Sequence, residues 1–281
     1  MATLDCKVIE QTDNGLYYRQ WPIEAPKAVI LLVHGMGEHC QRYNPIAQEL
    51  NQSGYAVCSM DLPNHGRSTG KKGHVDSFDL FQNAVLGLYL RIKSDYPTSP
   101  IFILGHSMGG LITTRFLMDH QDKFVGAILS GPAIELPDET PKWQVGLIKG
   151  ISKLFPTAGL IPIDGSLVSR DKSVIEAYYN DPLINQNKLS AKLLIEFDKT
   201  MRDVKQGAEV IKLPILLMHG RADQITAPSG SEWLHDVVQS QDKTLKLYED
   251  LYHEIFNEPE AQGVYSDVIE WLNKRNDNLS V

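Results

Sequence analysis

Five short runs of this chain are apolar almost without interruption: "AVILLVHG" (28–35), "YAVCSMD" (55–61), "PIFILG" (100–105), "FVGAILSG" (124–131) and "LPILLMHG" (213–220). A strand with one wet face alternates apolar and polar residues, so runs like these are strands buried on both faces. Such strands need helices above and below them, and the intervening segments supply them. "NPIAQELNQSG" (44–54) has helical periodicity and ends on Gly54 as a cap. "DSFDLFQNAVLGLYLRIKSDYP" (76–97) opens on Asp76 or Ser77 and stops before Pro97. Further helices are expected after Gly105, near 228–239 and near 259–274, with a last strand at "TLKLYE" (244–249). At the front, "CKVIEQ" and "LYYRQW" flank the turn "TDNG" and read as a hairpin. The pattern implies an α/β fold, with a mostly parallel central sheet and helices on both faces.

The alternation breaks after Gly131 and resumes near Leu213. Residues about 133–205 are irregular and proline-punctuated before two short helical stretches. The expected organisation is a core from 1–132 and 206–281, with 133–205 inserted as a cap over the carboxyl ends of the strands. Inside the insertion, Trp143, Leu147, Ile151, Leu154 and Phe155 share a helical face, which Val145 and Ile148 widen. Lys142, Lys149 and Lys153 lie among them. Either a helix packed on the core or a lid that meets a lipid surface has this pattern.

Composition closes off several classes. A net charge of −8 argues against a nucleic-acid partner, which needs clustered Lys and Arg. Neither a zinc-type CxxC or HExxH spacing nor a GxxxxGK[ST] phosphate loop occurs, so no metal and no organic cofactor is expected. Three cysteines, Cys6, Cys40 and Cys58, are too few and too scattered for a disulfide framework. No run approaches the roughly 18 apolar residues of a membrane span, and the first twenty residues lack a signal-peptide core. A cytoplasmic protein is expected, with contact to a membrane surface left open. The sequence does not specify an oligomeric state.

The stretch "PIFILGHSMGGLITTRFLMDH" (100–120) turns from strand to helix at Ser107, which has Gly105 and Gly109 on either side. A GxSxG pattern arises by chance in about one chain in ten of this size and composition. Here it also has the strand before it and the helix after it that a nucleophile elbow requires. A serine hydroxyl is a weak nucleophile and needs a base oriented by an acid, and with this elbow the chain order is Ser, acid, His. Asp223 follows the run "LPILLMHG", and His253 follows the last strand. Asp250 is a rival acid, but it falls three residues before His253 and cannot easily reach the far ring nitrogen. Oxyanion donors are expected at the backbone N–H of Met108, after the serine, and of Met36 in "HGMGEH".

The motifs "HGMGEHCQRY", "DLPNHGRS", "GHSMGG", "VSRDKSVIEAYYNDPLI", "HGRADQI" and "SQDKTLKLYEDLYHEIFNEPE" occur in order from about residue 28 to 272. Together they resemble the monoacylglycerol lipase and lysophospholipase branch of the α/β-hydrolases. The resemblance implies hydrolysis of single-chain lipid esters by Ser107, Asp223 and His253, under a cap that covers an apolar acyl tunnel. It also implies that Glu38, Arg42 and Tyr178 line the head-group end. Three positions depart from the family. Asn64 replaces a glycine, which predicts an altered loop path. Thr226 replaces a cysteine near the acid, so thiol reagents should not act there. Phe256 replaces a histidine, which predicts a less polar head-group pocket.

Overall fold

The computed structural model describes residues 8–137, 148 and 151–279. Trp143, Val145, Leu147, Lys142 and Lys149 of the expected cap helix lie outside them, as does Cys6. Strands β1 (Ile9–Asp13) and β2 (Leu16–Trp21) form the expected hairpin. Its two-residue turn is Asn14–Gly15, both at positive φ (49° and 78°), the geometry that matches strand twist. Strands β3 (Ala28–Val33), β4 (Tyr55–Met60), β5 (Ile101–His106) and β6 (Gly126–Ser130) follow. A separate antiparallel pair comprises β7 (Gly159–Ile161) and β8 (Leu189–Ser190). Strands β9 (Ile215–Gly220) and β10 (Lys243–Tyr248) complete the main sheet. Its order is β1-β2-β4-β3-β5-β6-β9-β10, parallel from β4 to β10.

The helices are α1 (Asn44–Gln52), α2 (Asp79–Asp95), α3 (Met108–His120), α4 (Lys172–Asn180), α5 (Ala191–Gly207), α6 (Pro228–Val237) and α7 (Ala261–Leu279). Helix α2 starts at Asp79 rather than at Asp76 or Ser77. Phe78 is buried just ahead of it, and the Asp79 N–H is met by the Ser77 hydroxyl instead of by a regular cap. Alternate residues of β3 feed different cores. Val29, Leu31 and Val33 pack toward α2, α3 and α5, while Ala28, Ile30 and Leu32 pack toward α1 and α7. This two-sided burial is why the run lacks polar residues. Truncating one such side chain to alanine costs about 2–5 kcal/mol.

The chain leaves β3 through α1 toward β4 and leaves β5 through α3 toward β6, in opposite directions along the sheet. The loops after β3 and β5 therefore diverge and open a crevice at the carboxyl edge, where sheets of this kind bind ligands. Segments between 158 and 190 are tied to the loops around that crevice. Asn185 N donates to Gly37 O (2.7 Å), Ser190 N to Gly73 O (2.8 Å), and Glu254 N to Val168 O (2.8 Å).

Candidate active site

The turn from β5 into α3 is sharp. Ser107 sits at φ 55° and ψ −121°, a left-handed conformation costly for a residue with a side chain. The glycines make the turn possible. A Cβ on Gly109 would lie 2.2 Å from Val33 O, and one on Gly105 would lie 2.5 Å from Gly109 O. The turn lifts the Ser107 hydroxyl toward His253, whose Nε2 lies 2.8 Å from Ser107 Oγ. On the other side of the ring, His253 Nδ1 lies 2.7 Å from Asp223 Oδ2. All three residues are buried. The three residues singled out in the sequence thus meet, although Ser107 and His253 are 146 positions apart. Asp250, the rival acid, is exposed.

Asp223 is held on both oxygens. Its Oδ1 accepts the N–H groups of Ile225 (2.7 Å) and Thr226 (3.0 Å). Its Oδ2 accepts from the Thr226 hydroxyl (2.8 Å) and from His219 Nε2 (3.0 Å), besides His253. His219 in turn is fixed by the Ser231 hydroxyl at Nδ1 (2.7 Å). Burial would raise the Asp223 carboxyl, but the two histidines outweigh it and hold the group well below the ordinary carboxylate range. Burial likewise works against the His253 cation. The charge and hydrogen bond of Asp223, with Glu254 and Glu38, win, and the imidazole lies above the usual histidine value. Neutral His253 can accept the serine proton, and Asp223 then faces the imidazolium.

The oxyanion loop is equally supported. His34 accepts Leu62 N–H at Nε2 (2.8 Å) and donates from Nδ1 to Gly35 O (2.8 Å), anchoring the start of the loop. Glu38 folds back on it, accepting Gly35 N–H at Oε1 (2.7 Å). Met36 and Met108 both line the cavity beside Ser107, and their N–H groups have no other hydrogen bond among the described residues. Met108 N is also the first orphan donor of α3, where the helix dipole favours an anion.

Glu38, Arg42 and Tyr178 come together as a group. Arg42 donates to Glu38 Oε2 (2.9 Å) and makes two bonds with Glu254 (2.5 and 2.7 Å). Its guanidinium lies 5.2 Å from the Tyr178 ring centre. Tyr43 donates to Glu38 Oε1 (2.6 Å). Burial would raise Glu38, but Arg42 and two nearby histidines hold it down to about 2. Tyr178 is buried, yet its hydroxyl has no partner among the described residues. Glu38, Tyr178 and Glu254 border a cavity of about 410 Å³ whose remaining wall is largely apolar, including Leu136, Ile161, Ile163, Leu189, Leu194 and Phe197. Arg42, expected to line it, instead holds the two carboxylates without itself reaching the wall.

Two of the departures from the family pattern have a defined place in the structure. Phe256 does not face this cavity. It packs into the core against Tyr265 and borders a small separate hollow with Glu38, Tyr43, His106 and Glu254. Asn64 takes φ 66°, the conformation a glycine would supply, and its Nδ2 donates to His74 O (2.7 Å). Asparagine tolerates that conformation better than most residues that carry a side chain. Sequence reading missed Glu254, His219 and the supporting role of Thr226. Glu254 is adjacent to His253 in sequence, the one cue available, but nothing local shows that it reaches Arg42, 212 positions away.

The sheet order, with its sharp serine turn after β5, is the α/β-hydrolase fold, here in a serine-dependent form. A family model described as "Serine aminopeptidase, S33" matches residues 24–260. The monoacylglycerol lipase of Mycolicibacterium smegmatis is 36% identical, the match covering 92% of each chain. Human monoglyceride lipase is 34% identical over 92% of this chain and 87% of its own. The crystal structure of Paleococcus ferrophilus monoacylglycerol lipase superposes with a TM-score of 0.84 at 33% identity, covering 92% of this chain and 99% of that one. The chain belongs to this serine hydrolase family and, within it, to the monoacylglycerol lipase branch.

Proposed function

We propose that the protein hydrolyses monoacylglycerols to fatty acid and glycerol through an acyl-enzyme. Ser107 attacks the ester carbonyl while His253 takes its proton and Asp223 stabilises the imidazolium. The N–H groups of Met36 and Met108 receive the oxyanion, a contribution of about 10²–10³ in rate per donor. His253 then protonates the leaving glycerol oxygen and activates water for deacylation. No step needs a metal or an organic cofactor.

The observation that carries the reading is the division of the cavity. Most of its wall is apolar and suits one acyl chain, and beside the catalytic His253 the wall turns polar at Glu38, Tyr178 and Glu254, with both carboxylates held by Arg42. There the Tyr178 hydroxyl is buried and has no partner among the described residues, which suits it as a donor for a glycerol oxygen. Two carboxylates, Glu38 and Glu254, face one guanidinium, so the region is net negative and disfavours a phosphodiester. The same pairing leaves neither carboxylate free for the ammonium of a peptide amino terminus, which disfavours an aminopeptidase.

Residues 133–205 act as a cap in this scheme, roofing the cavity with Ile161, Ile163, Leu167 and Val168. Leu154 and Phe155 are 76% and 65% exposed, which supports contact between the cap and a lipid surface. No helix among the described residues is long and apolar enough to cross a membrane.

The test is side-by-side hydrolysis of a monoacylglycerol and a lysophosphatidylcholine with the same acyl chain. Preference for the glyceride is expected, with Ser107→Ala lowering the rate by at least about 10⁴-fold. Preference for the phospholipid would make the enzyme a lysophospholipase.

A further inference from the structure

On the far side of β7 and β8 from the acyl cavity lies a second cleft, of about 550 Å³. Leu189 of β8 faces the acyl cavity, whereas its neighbours Lys188 and Ser190 line the cleft. Ile161 and Gly159 of β7 divide in the same way. The two spaces therefore share one thin wall.

The cleft is basic. Lys71, Lys72 and Lys188 converge on it, and no acidic side chain is among the described residues lining it. Lys72 donates weakly to Leu183 O (3.3 Å), and neither Lys71 nor Lys188 has a carboxylate partner among the described residues. In a chain of net charge −8, three ammonium groups around one hollow, with no carboxylate among the described residues lining it, form a local concentration of positive charge. The frame that carries them is fixed. Ser190 N donates to Gly73 O (2.8 Å), and His74 is held between Ser190 Oγ (2.8 Å) and Asp76 (3.2 Å). Gly73 (φ 73°) and Gly159 let the backbone close around Lys188, because a Cβ on Gly159 would lie 2.9 Å from Lys188 Cβ.

The cleft's edge includes Thr157, two residues from exposed Phe155 and three from exposed Leu154. Ile161, at the mouth of the acyl cavity, is 44% exposed. Apolar side chains that can enter a bilayer thus stand beside cations that can meet its head groups.

We propose that this cleft binds the phosphate of an anionic lipid head group when the cap meets a bilayer. The proposal rests on the reading of the cap as the face that meets lipid, and it adds a distinct recognition site to it. An occupied cleft would set the mouth of the acyl cavity against the membrane from which substrate is drawn. It would also hold a protein of net negative charge on an anionic surface that otherwise repels it.

Co-sedimentation with vesicles of phosphatidylcholine alone, and of phosphatidylcholine containing phosphatidylglycerol, tests the proposal. Wild type should bind the anionic vesicles more tightly, and the difference should shrink as salt rises. Lys71→Glu with Lys188→Glu should cut binding to anionic vesicles by about 25-fold or more, at about fivefold per lysine, and leave binding to neutral vesicles unchanged. Lys212→Glu with Lys274→Glu, the same charge change elsewhere, should keep the preference. Equal binding of wild type to both vesicles, or a preference that survives in the cleft variant, overturns the proposal. So does thermal stabilisation by inorganic phosphate without any vesicle preference, which would assign the cleft to a soluble phosphate. Turnover of a short soluble ester is the independent readout. Its loss in wild type would sink the esterase reading and leave the vesicle result standing, and its retention in the cleft variant shows that the variant is folded.

Discussion

His253 carries a proton through the proposed reaction, and two influences compete over where it titrates. Burial favours the neutral ring, but the Asp223 carboxylate, aided by Glu254 and Glu38, favours the cation and prevails. Only the neutral ring can accept the serine proton, so the acid limb of kcat/KM is expected above the ordinary value of about 6.5, not at it. His106, whose ring centre lies 4.8 Å from that of His253, does not add a second limb there. Burial and then His253 hold it down to about 4. A pH–rate profile checks both statements, and an acid limb well below 6.5 would contradict the role given to Asp223. Much at this scale was legible in the sequence: Ser107, Asp223 and His253 each follow a strand in the order the elbow demands. The second ring of support was not. Thr226 and His219 serve Asp223 through side-chain directions that only the folded loop defines.

At the scale of the element, the turn between β5 and α3 depends on hydrogen in place of a methyl group. Gly109→Ala would push a Cβ into Val33 O, and backbone cannot step aside as a side chain can. A loss of about 3 kcal/mol or more is expected, with labelling of Ser107 by a fluorophosphonate abolished. Gly87, in the middle of α2, is the contrast, since a Cβ there meets nothing within 4 Å. Gly87→Ala should stabilise by about 0.5–1 kcal/mol, because alanine is the better helix former. Denaturant midpoints distinguish the pair, and similar shifts in both would show that crowding at the elbow is not what its glycines relieve. The glycine spacing could be read directly, because the close approach it permits occurs within one strand–turn–helix unit. The start of α2 could not, because the burial of Phe78 moved it past the polar residues that looked like caps.

Across the whole molecule, buried titratable groups make stability depend on pH. Burial lowers His65 and His106 from 6.5 to about 4, and His34 in the same direction. An unfolded chain would bind protons at His65 and His106 between about pH 6.5 and 4 that the folded chain refuses, and at His34 below 6.5 in the same sense. Their contribution, roughly a few kcal/mol each for His65 and His106, is present above 6.5 and lost as pH falls below it. His253 has the opposite sign: its contribution is full below about 6.5 and fades as pH rises through its raised value. Glu38 and Asp223 add stability above about pH 4 that disappears below it. The melting temperature should therefore decline from about pH 6.5 downward and fall more steeply below about 4, as calorimetry across that range would show. A flat profile down to pH 4 would mean that these histidines are solvated. The sequence by itself determined the α/β architecture, because a strand buried on both faces must be apolar throughout and because turn, cap and elbow chemistry are local. Only the tertiary structure decided that Glu254 holds Arg42, that Phe256 turns into the core, and that Lys188 shares one cleft with Lys71 and Lys72. Those arrangements depend on where residues distant in the chain end up in space, and no periodicity within the chain encodes that.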